Sequence, residues 1–250
     1  MTVTLYDLAA TTLPKDPLSP NTRKARYCLN YKRIPYKTQW VEYADIEPLF
    51  KTLGIAPTSK KPDGSALYTV PAIYDPATGA YVSDSFAIAQ YLDKTYPDTP
   101  KIFPSGTVSL QAAFDDAFIG NLGAMWGFVL LAAATKLSPA SEEFYRRTRR
   151  ETFGKALEEM VPKGDEAVKA WKAFEAGLGM VDAWYQRGEG KGVYLLGNTP
   201  SWGDFVVVSV LNALRTLWGE ESKKWKDVLL WHGGRWKARA GSLKEFETIL

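Results

Sequence analysis

Two short segments hold the residues whose types and spacing best suit chemistry. Val70 and Pro71 open an apolar, strand-like run, and proline stands at strand starts, edges or bulges because it cannot donate to a sheet ladder. The bond before Pro71 is therefore a candidate cis bond, which would leave the Val70 backbone free to pair with an incoming peptide. Asp84 and Ser85 open a helical pattern, and the free N–H groups of a helix start suit a carboxylate. The two segments predict a pocket for a small anionic peptide, although Pro71 alone also fits an ordinary loop-to-strand junction.

The elements that would position these residues fall into two halves. Up to residue 96 the order is β-α-β-α-β-β-α, with expected strands at 2–8, 36–43, 69–74 and 80–83 and expected helices at 20–31, 46–53 and 83–96. The prolines of residues 97–106 forbid a continuous helix and indicate a linker. The rest of the chain predicts helices near 107–136, 141–161, 165–187, 201–217 and 222–230, with a shorter one later. The pattern predicts an α+β fold whose second half is entirely helical.

One capping box is expected in the helical half. Ser201 is a favoured N-cap residue, and Asp204, three residues further on, can accept a hydrogen bond from the Ser201 backbone N–H. The apolar residues 205–211 that follow would form a buried central helix.

Composition excludes several classes of function. The chain has 250 residues, 31 basic and 28 acidic, for a net charge of +3, and no basic run is long enough to follow a nucleic-acid backbone. Its single cysteine allows no internal disulfide and suits a reducing compartment. The first residues lack the features of a signal peptide, and the longest apolar run, 124–134, is too short to span a bilayer. We expect a soluble, cytoplasmic protein without nucleic-acid or membrane partners, and no metal, since the one histidine, His232, has no plausible co-ligands.

The order of elements, the Val-Pro and Asp-Ser segments, the linker and the capping box together resemble cytosolic glutathione transferases over nearly the whole chain. Residues 18–24 and 58–68 are similar to the fungal A-type class, which is related to bacterial glutathione-dependent β-etherases of lignin breakdown. The resemblance implies a thioredoxin-like glutathione-binding domain at 1–96, a linker at 97–106 and an all-helical domain at 107–250 that contributes a hydrophobic acceptor site. It also implies a homodimer.

In this family a residue early in the chain activates the thiol of glutathione, and Ser19 matches that position, with Asn21 as a second donor. A hydroxyl donor at a helix N-terminus stabilises a thiolate and lowers the pKa of the thiol. Capping of the helix by Ser19, ahead of Pro20, is the alternative interpretation. Because residue 19 is not a cysteine, it cannot form a mixed disulfide, which favours attack by glutathione on an electrophile.

The other groups of glutathione would be held by residues of the same half. Ser85 suits the γ-glutamyl carboxylate and Asp84 its ammonium, although Asp84 also fits a purely capping role. The backbone of Val70, ahead of Pro71, would pair with the cysteinyl residue. The glycyl carboxylate needs a cation, for which Lys60 or Lys61 and the region of Trp40 are candidates.

The electrophile would lie between the halves, against the helix that follows residue 107. Phe118, Met125 and Trp126 fall close to helical spacing and could face this cleft, or they could belong to the core of the helical half. The expected activity is the transfer of glutathione to hydrophobic, aromatic electrophiles, as in detoxification. The alternatives are a non-catalytic ligandin for wood-derived or plant polyphenols and a glutathione-dependent β-aryl etherase.

Overall fold

The computed structural model describes residues 2–12, 16–61, 63–188 and 192–250. These residues form a mixed sheet, a small hairpin and a set of helices, joined by loops and turns. The strands are β1 (Val3–Leu8), β2 (Tyr36–Val41), β3 (Ser59–Lys60), β4 (Ala66–Leu67), β5 (Ala72–Asp75) and β6 (Ala80–Ser83). The helices are α1 (Pro20–Tyr31), α2 (Ile46–Leu53), α3 (Ser85–Thr95), α4 (Val108–Asn121), α5 (Trp126–Ala134), α6 (Pro139–Phe153), α7 (Leu157–Met160), α8 (Gly164–Gln186), α9 (Trp202–Trp218) and α10 (Lys223–Gly241). The predicted fold, a thioredoxin-like β/α half followed by a helical half, is confirmed.

The main sheet has the order β2-β1-β5-β6. β1 is parallel to β2 and antiparallel to β5, and β5 is antiparallel to β6. All six residues of the central strand β1 are buried, as expected for a strand covered on both faces. The sheet therefore has its most buried strand in the middle, where helices can cover both sides.

The long segment at 58–68 contains a small hairpin that the sequence pattern did not predict. β3 and β4 pair antiparallel, with Ser59 opposite Leu67 and Lys60 opposite Ala66. Pro62, within 58–68, lies outside the described residues, as do residues 13–15, which precede α1 in the sequence.

The expected long helix at 107–136 is broken into α4 and α5. The two helices are bent by 46° around Leu122 and a short 3₁₀ turn, Gly123–Met125. α8 packs closely against this break, because a Cβ placed on Gly177 would lie only 2.1 Å from the backbone oxygen of Asn121. Within the described residues no single helix is long and apolar enough to cross a membrane, and α4 and α5 reach that length and composition only as a bent pair.

A buried ion pair joins the first half to the linker. The Lys32 ammonium lies 2.8 Å from the Asp93 carboxylate, and the Lys32 side chain is 0% exposed. Asp93 also accepts hydrogen bonds from the backbone N–H groups of Ile102 and Phe103. One carboxylate therefore compensates a buried charge and fixes the path of the linker.

Asp93→Ala is expected to lower the free energy of unfolding by about 3–5 kcal/mol, because it leaves the Lys32 charge buried without a partner. Urea denaturation of the wild type and the variant measures this difference. Asp227→Ala is the control: it breaks the exposed Lys223–Asp227 pair and should cost less than about 1 kcal/mol. The double variant Lys32→Met/Asp93→Ala should be more stable than Asp93→Ala alone; a lower stability would contradict the argument.

The predicted capping box forms at the start of α9. The Asp204 carboxylate accepts hydrogen bonds from the Ser201 backbone N–H at 2.9 Å, from the Leu195 N–H at 2.7 Å and from the Tyr185 hydroxyl at 3.1 Å. Burial raises the pKa of the Asp204 carboxyl to about 6. α9 is buried along most of its length, so the box fixes the start of the central helix of this half, as predicted.

The raised pKa of Asp204 gives a pH dependence with a defined sign. The folded state holds the proton more tightly than the unfolded chain, so the stabilisation is complete below about pH 4 and is lost as the pH rises to about 6. The difference in unfolding free energy between wild type and Asp204→Asn should therefore fall by on the order of 2 kcal/mol over this range. Urea denaturation of both proteins at several pH values measures it, and a difference that grows with pH would refute the assignment.

Candidate functional site

Four strand ends meet at one edge of the main sheet. β1 and β2 are parallel, so Leu8 and Val41 end at this edge. β5 is antiparallel to β1 and begins there at Ala72, and β6 ends there at Ser83. Four chain segments therefore lie side by side along this edge, in the order of the strands. They are the segment that follows β2, the segment that follows β1, the segment that precedes β5 and the segment that follows β6.

A polar cavity of about 380 Å³ lies over the β5–β6 end of this edge. Its lining combines the starts of α1 and α3, the segment before β5 and one face of α4. The residues are Asn21, Lys24, Thr58, Thr69, Val70, Pro71, Asp84, Ser85, Phe86, Ala112, Asp115 and Asp116. The structure thus brings together the two segments that the sequence singled out, 70–71 and 84–85.

The backbone of Val70 is open to a ligand. The Val70–Pro71 bond is cis, as the sequence suggested, and pairing between β5 and β1 stops at Ala72. Neither the N–H nor the C=O of Val70 forms a backbone hydrogen bond with another described residue. Val70 therefore offers a donor and an acceptor to an extended peptide in the polar cavity.

Asp84 and Ser85 form the start of α3 in the expected way. One carboxylate oxygen of Asp84 accepts hydrogen bonds from the N–H groups of Phe86 at 2.9 Å and Ala87 at 3.0 Å. Asp84 has a φ of 77°, in the left-handed region that non-glycine residues seldom adopt. Ser85 lines the polar cavity, and its hydroxyl forms no hydrogen bond with another described residue, so the hydroxyl is available to a ligand at the positive end of α3.

Ser19 caps α1 at the border of a second cavity. Its hydroxyl oxygen accepts a hydrogen bond from the Thr22 N–H at 3.2 Å, which confirms the capping interpretation and leaves the hydroxyl proton to donate. Ser19 lines the second cavity, and Asn21 lines both cavities. Capping and donation to a ligand are therefore compatible at Ser19.

Lys24 is a cation at the junction that the sequence analysis missed. Among the described residues, no other lysine or arginine lines the polar cavity, and Lys24 also lines the second cavity. Its ammonium lies 3.4 Å from Asp115, which also accepts a hydrogen bond from the Trp202 indole at 3.2 Å. Burial raises the pKa of the Asp115 carboxyl. The spacing of Asn21 and Lys24 by three residues, which places both on one helix face, is the signal that could have identified Lys24.

The second cavity is apolar and has a volume of about 560 Å³. α5, α6 and α9 supply one side of its wall, and the start of α1 and the segment before β5 also contribute to it. Its residues are Leu8, Leu18, Ser19, Pro20, Asn21, Lys24, Tyr43, Ile46, Tyr68, Thr69, Val70, Ile119, Met125, Trp126, Val129, Leu130, Ala133, Leu137, Tyr145, Arg149, Phe153, Val210, Ala213, Leu214 and Leu217. Asn21, Lys24, Thr69 and Val70 line both cavities and so define their junction.

Three expected site residues lie elsewhere. Phe118 is 0% exposed and belongs to the hydrophobic core, whereas the expected Met125 and Trp126 do line the apolar cavity. Trp40 stacks on the Arg26 guanidinium, with 5.6 Å between the guanidinium carbon and the ring centroid. Lys61 lies on the hairpin segment, 3.7 Å from the Glu47 carboxylate, and lines neither cavity.

A polar cluster of Tyr43, Tyr145 and Arg149 interrupts the apolar cavity where α6 covers the end of β2. The Arg149 guanidinium donates a hydrogen bond to the Tyr43 hydroxyl at 2.8 Å, and its central carbon lies 4.7 Å from the centroid of the Tyr145 ring. Burial raises the pKa of the Tyr145 hydroxyl. No sequence pattern marks this cluster, because its members come from opposite halves of the chain.

Comparison with known proteins identifies the family. Residues 18–95 match the family model described as glutathione S-transferase, N-terminal domain, and residues 109–246 match that of the C-terminal domain. A curated relative, the glutathione S-transferase-like protein ustS of Aspergillus flavus, is 34% identical, and the match covers 91% of this chain and 88% of that protein. The chain belongs to the glutathione S-transferase family and is a glutathione transferase.

Solved structures of fungal enzymes show the same architecture. The glutathione S-transferase CsGST63524 of Ceriporiopsis subvermispora, crystallised in complex with glutathione, is 41% identical with a TM-score of 0.95, and the match covers 100% of this chain and 99% of that one. Glutathione transferase GSTFuA2 from Phanerochaete chrysosporium is 42% identical with a TM-score of 0.92 over 100% of both chains. The resemblance to fungal glutathione transferases is confirmed.

The β-etherase LigF from Sphingobium is a more distant neighbour. It is 16% identical with a TM-score of 0.60, and the match covers 98% of both chains. At this identity the similarity concerns the fold alone.

Proposed function

We propose that this glutathione transferase binds glutathione in the polar cavity and uses Ser19 to hold its sulfur as a thiolate, which attacks hydrophobic, aromatic electrophiles in the apolar cavity. The observation that carries the proposal is the shared border of the two cavities, where the start of α1 and the open backbone of Val70 meet. The glutathione complex of the relative from Ceriporiopsis subvermispora supports the choice of ligand.

The polar groups of the cavity match those of the tripeptide. The γ-glutamyl carboxylate binds at the start of α3, where the Ser85 hydroxyl and the helix dipole favour an anion. Its ammonium approaches Asp84, whose second carboxylate oxygen takes no part in capping, and Asp115 and Asp116 add negative charge across the cavity. The cysteinyl residue pairs with the backbone of Val70 and places the sulfur at the junction.

Three features of the junction favour the ionised sulfur. The Ser19 hydroxyl donates to it, the N-terminus of α1 contributes positive potential, and Asn21 and the Lys24 ammonium line the same space. In the reaction the thiol proton passes to solvent, the thiolate electron pair forms a carbon–sulfur bond, and the leaving group departs with the electron pair of the bond that breaks. The aromatic side chains of the apolar cavity, Trp126 among them, favour an aromatic acceptor.

Ser19→Ala should raise the pKa of the bound glutathione thiol and lower kcat/KM for 1-chloro-2,4-dinitrobenzene about ten- to a hundredfold, the range for losing a hydrogen bond to a charged group. The thiolate absorbance of the glutathione complex, titrated against pH, measures the pKa. Ser19→Thr keeps the hydroxyl and should retain most of the activity.

Loss of the helix cap must be separated from loss of the thiolate contact. Ser222 caps α10 through the same kind of bond, to the Trp225 N–H at 3.1 Å, and lines neither cavity. Ser222→Ala should therefore cost a comparable stability, about 0.5–2 kcal/mol, with unchanged kinetics. An unchanged thiol pKa in Ser19→Ala would remove Ser19 from the proposed role.

The volume and apolar lining of the second cavity also favour a second function, the non-catalytic binding of polyphenols. Ser19→Ala separates the two functions, since it should lower turnover about ten- to a hundredfold but leave the affinity for a hydroxylated aromatic ligand, measured by tryptophan fluorescence, within about twofold. By family resemblance we also propose a two-fold dimer, which light scattering coupled to size-exclusion chromatography tests.

A further inference from the structure

Arg149 is the arginine of α6 that lines the apolar cavity, and it has no acidic partner among the described residues. Arg147 and Arg150 also form no ion pair there, but both are exposed and line neither cavity. Within the described part of the chain, no carboxylate oxygen lies within 4.0 Å of the Arg149 guanidinium, and its hydrogen-bond acceptor is the Tyr43 hydroxyl. Arg146, one turn earlier in α6, is paired with Glu142 at 2.7 Å and Glu158 at 2.6 Å. A half-buried arginine in an apolar cavity without a counter-charge is suited to bind an anion, because a desolvated charge gains most from an opposite charge that accepts its hydrogen bonds.

The acid that precedes Tyr43 in the chain is engaged elsewhere. The Glu42 carboxylate accepts a hydrogen bond from the Ser138 hydroxyl at 2.5 Å and a second from the Ser141 hydroxyl. Both serines stand at the start of α6, where the helix dipole also favours the negative charge, whereas Arg149 lies three turns further along the helix. Glu42 is therefore held at the opposite end of α6 from the Arg149 guanidinium.

The strand order separates this cluster from the proposed position of the glutathione sulfur by about the length of an acceptor molecule. Tyr43 follows β2, whereas Ser19 follows β1 and Val70 precedes β5. Tyr43, Arg149 and Val70 all line the apolar cavity, and because neighbouring strands lie about 4.8 Å apart, the end of β2 and the start of β5, two strands away, are separated by roughly 10 Å. A single substituted aromatic ring spans this distance.

We infer that the apolar cavity selects aromatic acceptors with an anionic group, a carboxylate above all, at the end remote from the attacked carbon, and that Arg149 is the specificity-determining residue. The planar guanidinium can bind a carboxylate through two parallel hydrogen bonds, and the Tyr43 hydroxyl, which accepts from Arg149, keeps its own proton to donate. The apolar wall lowers the local dielectric constant and so strengthens these contacts. The inference rests on the proposed function, because the remote end is defined relative to the sulfur of glutathione.

A matched pair of unreactive ligands tests the anionic subsite without turnover. 3,5-Dinitrobenzoate and 3,5-dinitrobenzamide have nearly the same shape, lack a leaving group and differ in charge. Equilibrium dialysis against the glutathione-loaded protein should show at least tenfold tighter binding of the benzoate. Arg149→Met should abolish this preference by weakening the benzoate alone, and Arg149→Lys, which keeps the charge without the fork, should retain part of it.

Two further variants distinguish loss of the Arg149 contact from a general effect of substitution in this region. Arg150→Met removes the next arginine of α6, which is exposed and lines neither cavity, and should leave both affinities unchanged. Tyr43→Phe removes only the hydroxyl and should reduce the benzoate preference severalfold, which keeps the test valid should Arg149→Met fold poorly. Equal affinities of the wild type for the two ligands, or an equal loss of both in Arg149→Met, would overturn the inference.

A parallel measurement separates this inference from the proposed function. The rate of conjugation of glutathione to 4-chloro-3,5-dinitrobenzamide, a neutral electrophile, reports transferase activity, in which sulfur forms a bond to the ring carbon and chloride leaves with its electron pair. This rate should be the same within about twofold in wild type and Arg150→Met, because Arg150 lines neither cavity. Turnover without a benzoate preference refutes the anionic subsite alone, whereas the absence of both turnover and glutathione binding refutes the proposed function.

Discussion

The antiparallel pairing of β5 with β1 is the constraint on which the site depends. The ladder joins Thr4 to Tyr74 and Tyr6 to Ala72, and it stops there because Pro71 has no N–H to continue it. The chain before β5 therefore leaves the sheet with the Val70 backbone unpaired. The same pairing brings the end of β1 and the start of β5 to one edge, so that the start of α1 faces that open backbone.

Buried charges hold α1 in the position that this edge requires. The Arg26 guanidinium lies 2.8 Å from the Asp7 carboxylate, with both side chains almost fully buried, and also donates to the hydroxyls of Tyr36 and Thr38. These contacts join α1 to β1 and β2 at fixed positions along both strands. Because the two opposite charges compensate each other, the arrangement avoids the cost of an isolated buried charge, and it fixes the direction in which the first turn of α1 points.

The chain end reinforces the same region. The backbone oxygen of Leu250 accepts hydrogen bonds from the N–H and the hydroxyl of Thr38, and that of Thr248 accepts one from the Tyr36 hydroxyl. No strand among the described residues pairs with the far side of β2, and residues 248–250 cover part of that side. An exposed strand edge can pair with another chain, and residues 248–250 occupy part of the exposed edge of β2.

The sequence predicted those parts of the site that depend on local chemistry. A proline at a strand start, a serine before a helical proline and an Asp-Ser pair at a helix start each have a short-range physical meaning, and all three lie at the cavities as expected. Long-range contacts carry no such signal. Lys61 lies against Glu47, Trp40 stacks on Arg26, and the aromatic periodicity around Phe118 could not show which side of α4 faces the core.

The break between α4 and α5 illustrates the same limit. The apolar pattern continues through residues 107–136, although Gly120, Gly123 and Gly127 lower the helical propensity around the break. The close approach of α8 to this break at Gly177 is seen only in the folded chain. The Tyr43–Tyr145–Arg149 cluster is likewise invisible in the sequence, because the 3₁₀ segment after β2 meets α6 across about 100 intervening residues. Most elements were predictable from periodicity, whereas the β3–β4 hairpin, the break between α4 and α5 and the contacts between elements were not.

The division of the walls between the two cavities has a consequence for how such an enzyme can diversify. The polar cavity is built from the sheet edge, the starts of α1 and α3 and one face of α4, whereas α5 and α6 contribute only to the apolar one. Substitutions on the inward faces of α5 and α6 can therefore exchange one acceptor for another without disturbing the groups that hold the tripeptide. After duplication of this gene, the copies could therefore accept different electrophiles through substitutions in α5 and α6, while the reaction with glutathione stays the same.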